Sequence, residues 1–328
     1  MTDVTPEPIF QVASGFMAAK LLFVANEVGL FAQLADGPAT LNALAGRTGI
    51  AQPRLRILAD AMVALGFVER QGDAYQNAPV AATFLTGHTP VDLRPFLRFW
   101  NHLSYPVWTK LEDAVRTGEG QSTLSLPEEA QRIFSEGVEA ILAAPSQALP
   151  SMYDFGRHRR ILDIGGGTGS WLLAILRQYG SLEGTLFELP AAAAAARQHL
   201  ASDPAAQHVK VIEGDCFKDP IPEGHDVVLI ANVFHLFSAK RNLELLRRTR
   251  QSVPDGARLL LADFWTDATH TQPTFAALMA GEFLVITGEG DVYSEEEVQG
   301  WLQETGWRLL ERKPLAGPQS VIVAETTQ

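Results

Sequence analysis

Five short stretches of this 328-residue chain hold the residues whose types and spacing could do chemistry: ILDIGGGTGSW, LFELP, EGDCF, VFHLF and LLLADF. In the first, Asp163 ends an apolar strand, and Gly165, Gly166, Gly167 and Gly169 form the turn into a helix. Glycines there let the backbone approach a ligand, and ligands of strand-helix sheets bind beyond the carboxyl ends of the strands. The Gly-Lys-Ser/Thr of a phosphate loop is absent. The dinucleotide spacing also fails, because five residues on from Gly165 stands Ser170 and five on from Gly167 stands Leu172. A carboxylate two residues before a glycine cluster suits a cationic amino group rather than a pyrophosphate. Glu188, ending the next strand, can accept both hydroxyls of a ribose. Asp215, after the third, can accept from an adenine amino group, with Cys216 and Phe217 available to pack the ring. Taken singly, these are a solvated strand-end glutamate and a turn aspartate. Together, three acids at successive strand ends describe an adenosine bearing an amino acid. His235 closes the apolar run VVLIANVF. It reads either as a hydrogen-bonded core residue or as a catalyst, and that stretch alone leaves both open.

The elements that must position these residues follow from pattern. From residue 159, short apolar strands (RRILDI, TLFEL, VKVIE, DVVLIAN, RLLLADF) alternate with helices, among them one over 239–252. That alternation predicts a parallel sheet covered on both faces. SEEEVQGWLQETG opens with a capping box from Ser294 to Glu297, and WRLLERK and SVIVAET then finish the chain as an antiparallel pair. Residues 101–157 read as helical with a polar interruption at RTGEGQSTLSLPEE. Before residue 100 the pattern is helix, helix, hairpin, with the hairpin turning at Gly72-Asp73, which is a winged helix.

Composition narrows the partners. The chain has 26 basic and 38 acidic residues, a net charge of −12, so a polyphosphate is repelled rather than attracted. The second helix of the winged pattern offers only Arg54 and Arg56, which argues against nucleic acid. A single cysteine excludes an intramolecular disulfide and a cysteine zinc cluster. The first residues, MTDVTPEP, carry no secretory signal pattern, and no apolar run reaches the roughly 20 residues that span a bilayer. The expectation is a cytoplasmic protein with no membrane partner. The first helix, within residues 8–35, is apolar over more of its surface than a lone solvent-facing helix allows, which points to a second subunit.

With these motifs in this order, the chain resembles the S-adenosylmethionine-dependent methyltransferases, and more narrowly the plant-type O-methyltransferases that include caffeic acid and acetylserotonin O-methyltransferases and bacterial enzymes of secondary metabolism. LDIGGGTG, FELP and GDCF look like that family's cofactor motifs, and the resemblance spans nearly the whole chain. It implies a winged-helix dimerisation domain at 1–100, a Rossmann-like α/β methyltransferase domain at 101–328 whose first part, 101–157, supplies linker and pocket helices, and a homodimer. It further implies that Asp163, Gly165 and Gly167 serve the methionine end of the cofactor, that Glu188 holds the ribose, and that Asp215 and Cys216 sit at the adenine. The family carries a histidine after the fourth strand as general base and an acid ending the fifth strand to orient it. His235 and Asp263 match in position.

There are departures. Many members have His-Asp-Trp where this chain has His235-Leu236-Phe237. The second acid that usually flanks the base falls at Val292, with Glu289 and Asp291 only nearby. Trp100, His102, Met152, Trp265, Met279 and Phe283 are pocket candidates by place in the chain, and such aromaticity suits a flat, mainly apolar acceptor. His270 with His235 offers too few ligands for a metal. The expected activity is O-methylation of a phenolic hydroxyl on a small aromatic acceptor, with S-adenosyl-L-methionine as cofactor. C-methylation of an activated aromatic or 2-oxo acid, and an S-adenosylmethionine-binding winged-helix regulator, are the alternatives.

Overall fold

The computed structural model describes residues 4–121 and 126–327 and divides the chain into two compact units. One takes in the chain up to Pro106 together with the stretch ending at Ile141; the other begins at Val107 and resumes at Leu142.

The N-terminal unit holds α1 (Glu7–Glu27), β1 (Ala39–Thr40), α2 (Leu41–Thr48), α3 (Gln52–Ala64) and the hairpin β2 (Val68–Gln71) and β3 (Ala74–Asn77). The Thr40 hydroxyl caps α2 by accepting from the Ala43 N–H at 3.3 Å. Gln71 pairs with Ala74, so Gly72-Asp73 forms the two-residue turn expected, with Gly72 at φ +64°. Leu55, Leu58, Ala59 and Met62 of α3 recur at helical spacing and pack into this unit's core. Arg56 pairs with Asp60 at 2.9 Å on its own helix. In α1 only Phe23 and Ala25 are buried. At 21 residues this helix is, by length and composition, apolar enough to cross a bilayer, which corrects the expectation that no run reaches that length. Lys20 interrupts the apolar residues within it, so the sequence shows no unbroken apolar run there.

The second unit is a seven-stranded, mostly parallel sheet. Its strands are β4 (Arg160–Ile164), β5 (Glu183–Glu188), β6 (Val209–Glu213), β7 (Val227–Ala231), β8 (Arg258–Asp263), β9 (Trp307–Pro314) and β10 (Ser320–Thr326), in spatial order β6-β5-β4-β7-β8-β10-β9. β10 is antiparallel to both neighbours, as the sequence of the last two strands predicts. Its helices are α4 (Leu111–Thr117), the second half of α5 (Glu128–Met152), α6 (Ser170–Gln178), α7 (Pro190–Leu200), α8 (Ala239–Ser252), α9 (Thr274–Thr287) and α10 (Glu295–Glu304). The polar interruption before α5 is non-helical from Gly118; residues 122–125 lie outside the described residues.

All five residues of β7 are buried because both faces of the sheet are covered. Val227, Leu229 and Ala231 pack with α6, α7 and Leu149 of α5, while Val228 and Ile230 pack with Leu245 and Leu246 of α8 and Val298 and Leu302 of α10. Truncating a fully buried side chain such as Leu229 to alanine would cost about 2–5 kcal/mol. The Ser294–Glu297 capping box starts α10 as expected. The chain builds outward from β4 in one direction through β5 and β6, then in the other through β7 and β8. Strand order thus reverses between β4 and β7, and the crevice above their carboxyl ends is where such sheets bind ligands.

Candidate active site

Asp163 stands one residue before the end of β4, wholly buried, and neither carboxylate oxygen has a hydrogen-bond partner among the described residues. Burial first, and the neighbouring Glu188 second, push its carboxyl up to about 8. A buried carboxylate without a donor is costly, and a ligand's ammonium group would relieve that cost. The glycine turn makes the approach possible. A Cβ on Gly166 would sit 2.2 Å from Asp163 Oδ2, whereas one on Gly167, at φ +58°, would meet nothing within 4 Å. The first glycine is required by its neighbour; the second borders open space.

Glu188, closing β5, is gripped from both sides. The Gly167 N–H donates to Oε2 at 2.9 Å, and the Leu189 N–H donates to Oε1 at 2.7 Å. Burial raises its carboxyl above the ordinary range, against the pull of those two bonds. An ionised carboxylate offers about four acceptor positions, so two remain for a ligand. Asp215, beyond β6, closes its own turn. Oδ1 accepts from the Phe217 N–H at 2.9 Å, and Oδ2 pairs with Lys218 at 2.9 Å, which hold the carboxyl below its usual range. Cys216 beside it is half-buried, and burial pushes its thiol up to about 12.

His235 follows β7 in a single helical turn, Phe234–Leu236, and is buried. Its Nδ1 lies 2.6 Å from Asp263 Oδ1 at the end of the adjacent β8. The same carboxylate accepts from the backbone N–H of Phe264 at 2.8 Å and, more weakly, of His235 at 3.4 Å. A carboxylate only accepts, so Nδ1 carries the proton between them, and in the neutral imidazole Nε2 is then the nitrogen with the free lone pair. Phe283 of α9 stacks on the imidazole, and with Phe264 and Met279 it belongs to a small apolar cluster that also buries Val292.

The carboxylates near Val292 do not take its place. Glu289 pairs with Arg241 at 2.8 Å and accepts from the Ser238 N–H at 3.3 Å. Asp291 accepts from the Val292 N–H, and its own N–H donates to the His235 carbonyl at 3.1 Å. His270 lies 3.0 Å from Glu297 and so pairs away from His235. Of the pocket candidates, Phe283 is brought beside His235, and Met279 packs against the cluster to which Phe283 belongs. Trp265 is in the core, its indole N–H donating to the Ser320 carbonyl at 3.1 Å. Met152 ends α5 and is 40% exposed. Trp100 and His102 belong to the other unit, where His102 Nε2 lies 3.1 Å from Glu27.

Three features were not legible in advance. Asn242, fully buried, donates to the Phe234 and Phe237 carbonyls at 2.9 and 3.2 Å and so fastens the turn that carries His235. The Trp108 indole N–H donates to the buried Glu282, next to Phe283 on α9. Asn232, at φ +58°, turns the chain out of β7. An asparagine three residues after a polar helix start, or at a strand end, was the available signal for the first and last.

Residues 100–308 match the O-methyltransferase domain and residues 10–87 the O-methyltransferase dimerisation domain. The chain is 31% identical to 3-hydroxy-5-methyl-1-naphthoate 3-O-methyltransferase of Streptomyces sahachiroi, over 95% of this chain and 92% of that one. It is 30% identical to acetylserotonin O-methyltransferase of Mus musculus, over 96% of this chain and 87% of that one. Among solved structures, human N-acetylserotonin methyltransferase in complex with S-adenosylmethionine superposes with a TM-score of 0.87 at 25% identity, covering 100% of this chain and 99% of that one. The likeness to these enzymes spans both domains and nearly the whole of each chain. The chain belongs to the O-methyltransferase family, whose members depend on S-adenosylmethionine.

Proposed function

We propose that this O-methyltransferase acts on a phenolic hydroxyl of a small, flat aromatic acceptor, with His235 as general base. The observation that carries the reading is the 2.6 Å contact from His235 Nδ1 to Asp263, which leaves Nε2 as a proton acceptor in a buried, apolar setting. The naphthoate acceptor in the name of the Streptomyces sahachiroi relative supports the aromatic class. When bound, S-adenosylmethionine would supply an electrophilic methyl group, whose transfer to the acceptor oxygen would break the bond to sulfur and leave S-adenosylhomocysteine.

The chain's own residues hold and prepare the partners. Asp163 receives the ammonium group of the cofactor, and its carboxyl ionises in doing so. Gly165 and Gly167 give the backbone room at the same end. Glu188 uses its two remaining acceptor positions for the ribose hydroxyls, and Asp215 and Cys216 border the adenine. A phenol, with a pKa near 10, is a poor nucleophile at neutral pH until its proton is removed, and an imidazole suits that task. Asp263 fixes the ring's tautomer and steadies the imidazolium that forms. Phe283, Phe264 and Met279 exclude water from that proton transfer and offer a flat acceptor apolar walls. We place residues 101–328 in this catalytic role and 1–100 in dimerisation, with the enzyme a homodimer. The cytoplasm, where the lone Cys216 stays reduced, is the compartment we assign.

The test is a panel of hydroxynaphthoates incubated with S-adenosylmethionine and read by mass spectrometry and NMR. A product bearing a new methoxy group is expected. A methyl group on ring carbon would overturn the oxygen assignment, and turnover of aliphatic hydroxy acids in preference to the panel would overturn the acceptor class.

A further inference from the structure

Three segments with separate tasks meet on one arginine. Arg241, in the first turn of α8, lies with its guanidinium 4.1 Å from the Phe217 ring centroid and 4.4 Å from that of Phe237, and its Nη1 donates to Glu289 Oε1 at 2.8 Å. Phe217 follows Cys216 in the loop assigned above to the adenine. Phe237 closes the turn that carries His235. Glu289 opens the segment whose Asp291 N–H donates to the His235 carbonyl, and whose Gly290 runs so close that a Cβ there would meet that carbonyl oxygen at 2.5 Å. The two rings also touch each other edge to face, with centroids 4.8 Å apart. Seven residues along the same face of α8, Arg248 donates to the carbonyls of Cys216 and Asp219 at 2.7 and 2.5 Å, so the helix grips the adenine loop at two points.

An exposed ion pair alone contributes little. A planar guanidinium held by two rings and a carboxylate is different, because only a narrow range of orientations serves all three. We propose that Arg241 is a positioning residue that couples filling of the adenine loop to the placement of His235. Ordering Phe217 fixes the guanidinium, and the guanidinium fixes Phe237 and Glu289, which border the turn and the loop on either side of the base. Such coupling is reciprocal, so an acceptor that orders the His235 turn tightens the cofactor in return. The proposal rests on the adenine assignment given above; the identity of the acceptor does not enter its principal test.

That test is amide hydrogen exchange on the full-length protein with and without saturating S-adenosylhomocysteine. In the unsubstituted protein, exchange should slow at 215–219 and also at 233–238 and 289–292. Arg241→Met keeps the aliphatic stem and drops the guanidinium. It should still be protected at 215–219, while ligand-dependent protection at the other two segments falls by roughly 2–30-fold, the range of measured coupling energies. Arg241→Lys should recover only part of it, because an ammonium cannot lie flat between the rings. Glu289→Gln removes one arm and should lose protection at 289–292 but keep it at 233–238. With any hydroxynaphthoate that is turned over, Arg241→Met should lower kcat at saturating cofactor and displace the pH profile. Undiminished protection of all three segments in Arg241→Met would overturn the coupling. So would faster exchange throughout the catalytic unit without ligand, which would make Arg241 a general stabiliser. Protection at 233–238 and 289–292 without any at 215–219 in the unsubstituted protein would instead remove the adenine assignment. If the whole panel goes unmethylated, the acceptor reading fails and the exchange result stands.

Discussion

The His235 imidazole lies nearly parallel to the Phe283 ring, with centroids 3.7 Å apart and planes 16° apart. Asp263 fixes one in-plane direction of the imidazole, and the stack fixes its plane, so together they aim Nε2. The face of a benzene ring is also the favourable side for a cation, and an imidazolium forms each time the base takes a proton. Phe283→Leu keeps the apolar bulk but removes the π face and should lower turnover by roughly 2–30-fold, the equivalent of a cation–π contact of about 0.5–2 kcal/mol. Unchanged turnover with an unchanged pH profile would mean that the ring only fills space.

Removing the base itself should cost more. His235→Ala should cut turnover by about 10²–10⁴-fold while leaving S-adenosylhomocysteine affinity by calorimetry nearly unchanged. Asp263→Asn should cost less, because an amide can turn its carbonyl to Nδ1–H but no longer offsets the positive charge. Both losses should shrink at high pH, where a phenol sheds its proton unaided. Normal methylation by His235→Ala at pH 7 would end the base assignment.

Much of the fold could be read because local signals agree with it. β7 is buried on both faces and so appears as an unbroken apolar run, and the Ser294–Glu297 box marks the start of α10 within one residue. α9 gives no periodic signal, because apolar residues surround it and hide helical periodicity. At the site, Asp163, Glu188 and Asp263 were legible because the end of a parallel strand is a position a sequence can count to. The Phe283 stack and the Arg241 bridge join residues 48 apart in the chain, from elements with no shared period, and packing alone creates them. Val292 shows the converse. Sequence position pointed to an absent acid, and the structure fills that place with apolar packing.

The buried Asp163 makes stability depend on pH in a definite direction. Its folded pKa is raised to about 8, whereas an aspartate in the unfolded chain titrates near 3.9. The folded protein without ligand therefore binds this proton more tightly than the unfolded chain. Its stabilising share is full below about pH 4 and is lost as the pH climbs through the window up to 8. Asp163→Asn has no such titration. In thermal unfolding without ligand, the variant should match the unsubstituted protein near pH 4 and exceed it near pH 8, by roughly 2–4 °C for each kcal/mol relieved. S-adenosylhomocysteine should reverse the order at pH 8, because only the carboxylate pairs with its ammonium group. Equal destabilisation of the variant at both pH values without ligand would show that the charged carboxylate carries no burial penalty.

The last prediction concerns α1. Ile9, Phe10, Phe16 and Met17 are 54–70% exposed on a helix that is apolar nearly all round, and all but Ile9 fall in the segment that matches the dimerisation domain. An apolar surface of this kind needs cover, either from a second copy or from lipid, because the same 21 residues are long and apolar enough to cross a bilayer. The two covers separate cleanly. A dimer should scatter light at about twice 35.7 kDa at micromolar concentration and should remain in the supernatant when phosphatidylcholine vesicles are sedimented. Phe10→Glu with Phe16→Glu should then shift the mass toward one chain, because each carboxylate would be buried without a partner at the interface. The catalytic unit, whose core is separate, should keep its affinity for S-adenosylhomocysteine in that variant. Sedimentation of the unsubstituted protein with the vesicles, or a clean monomer in their absence, would refute a dimer built on α1.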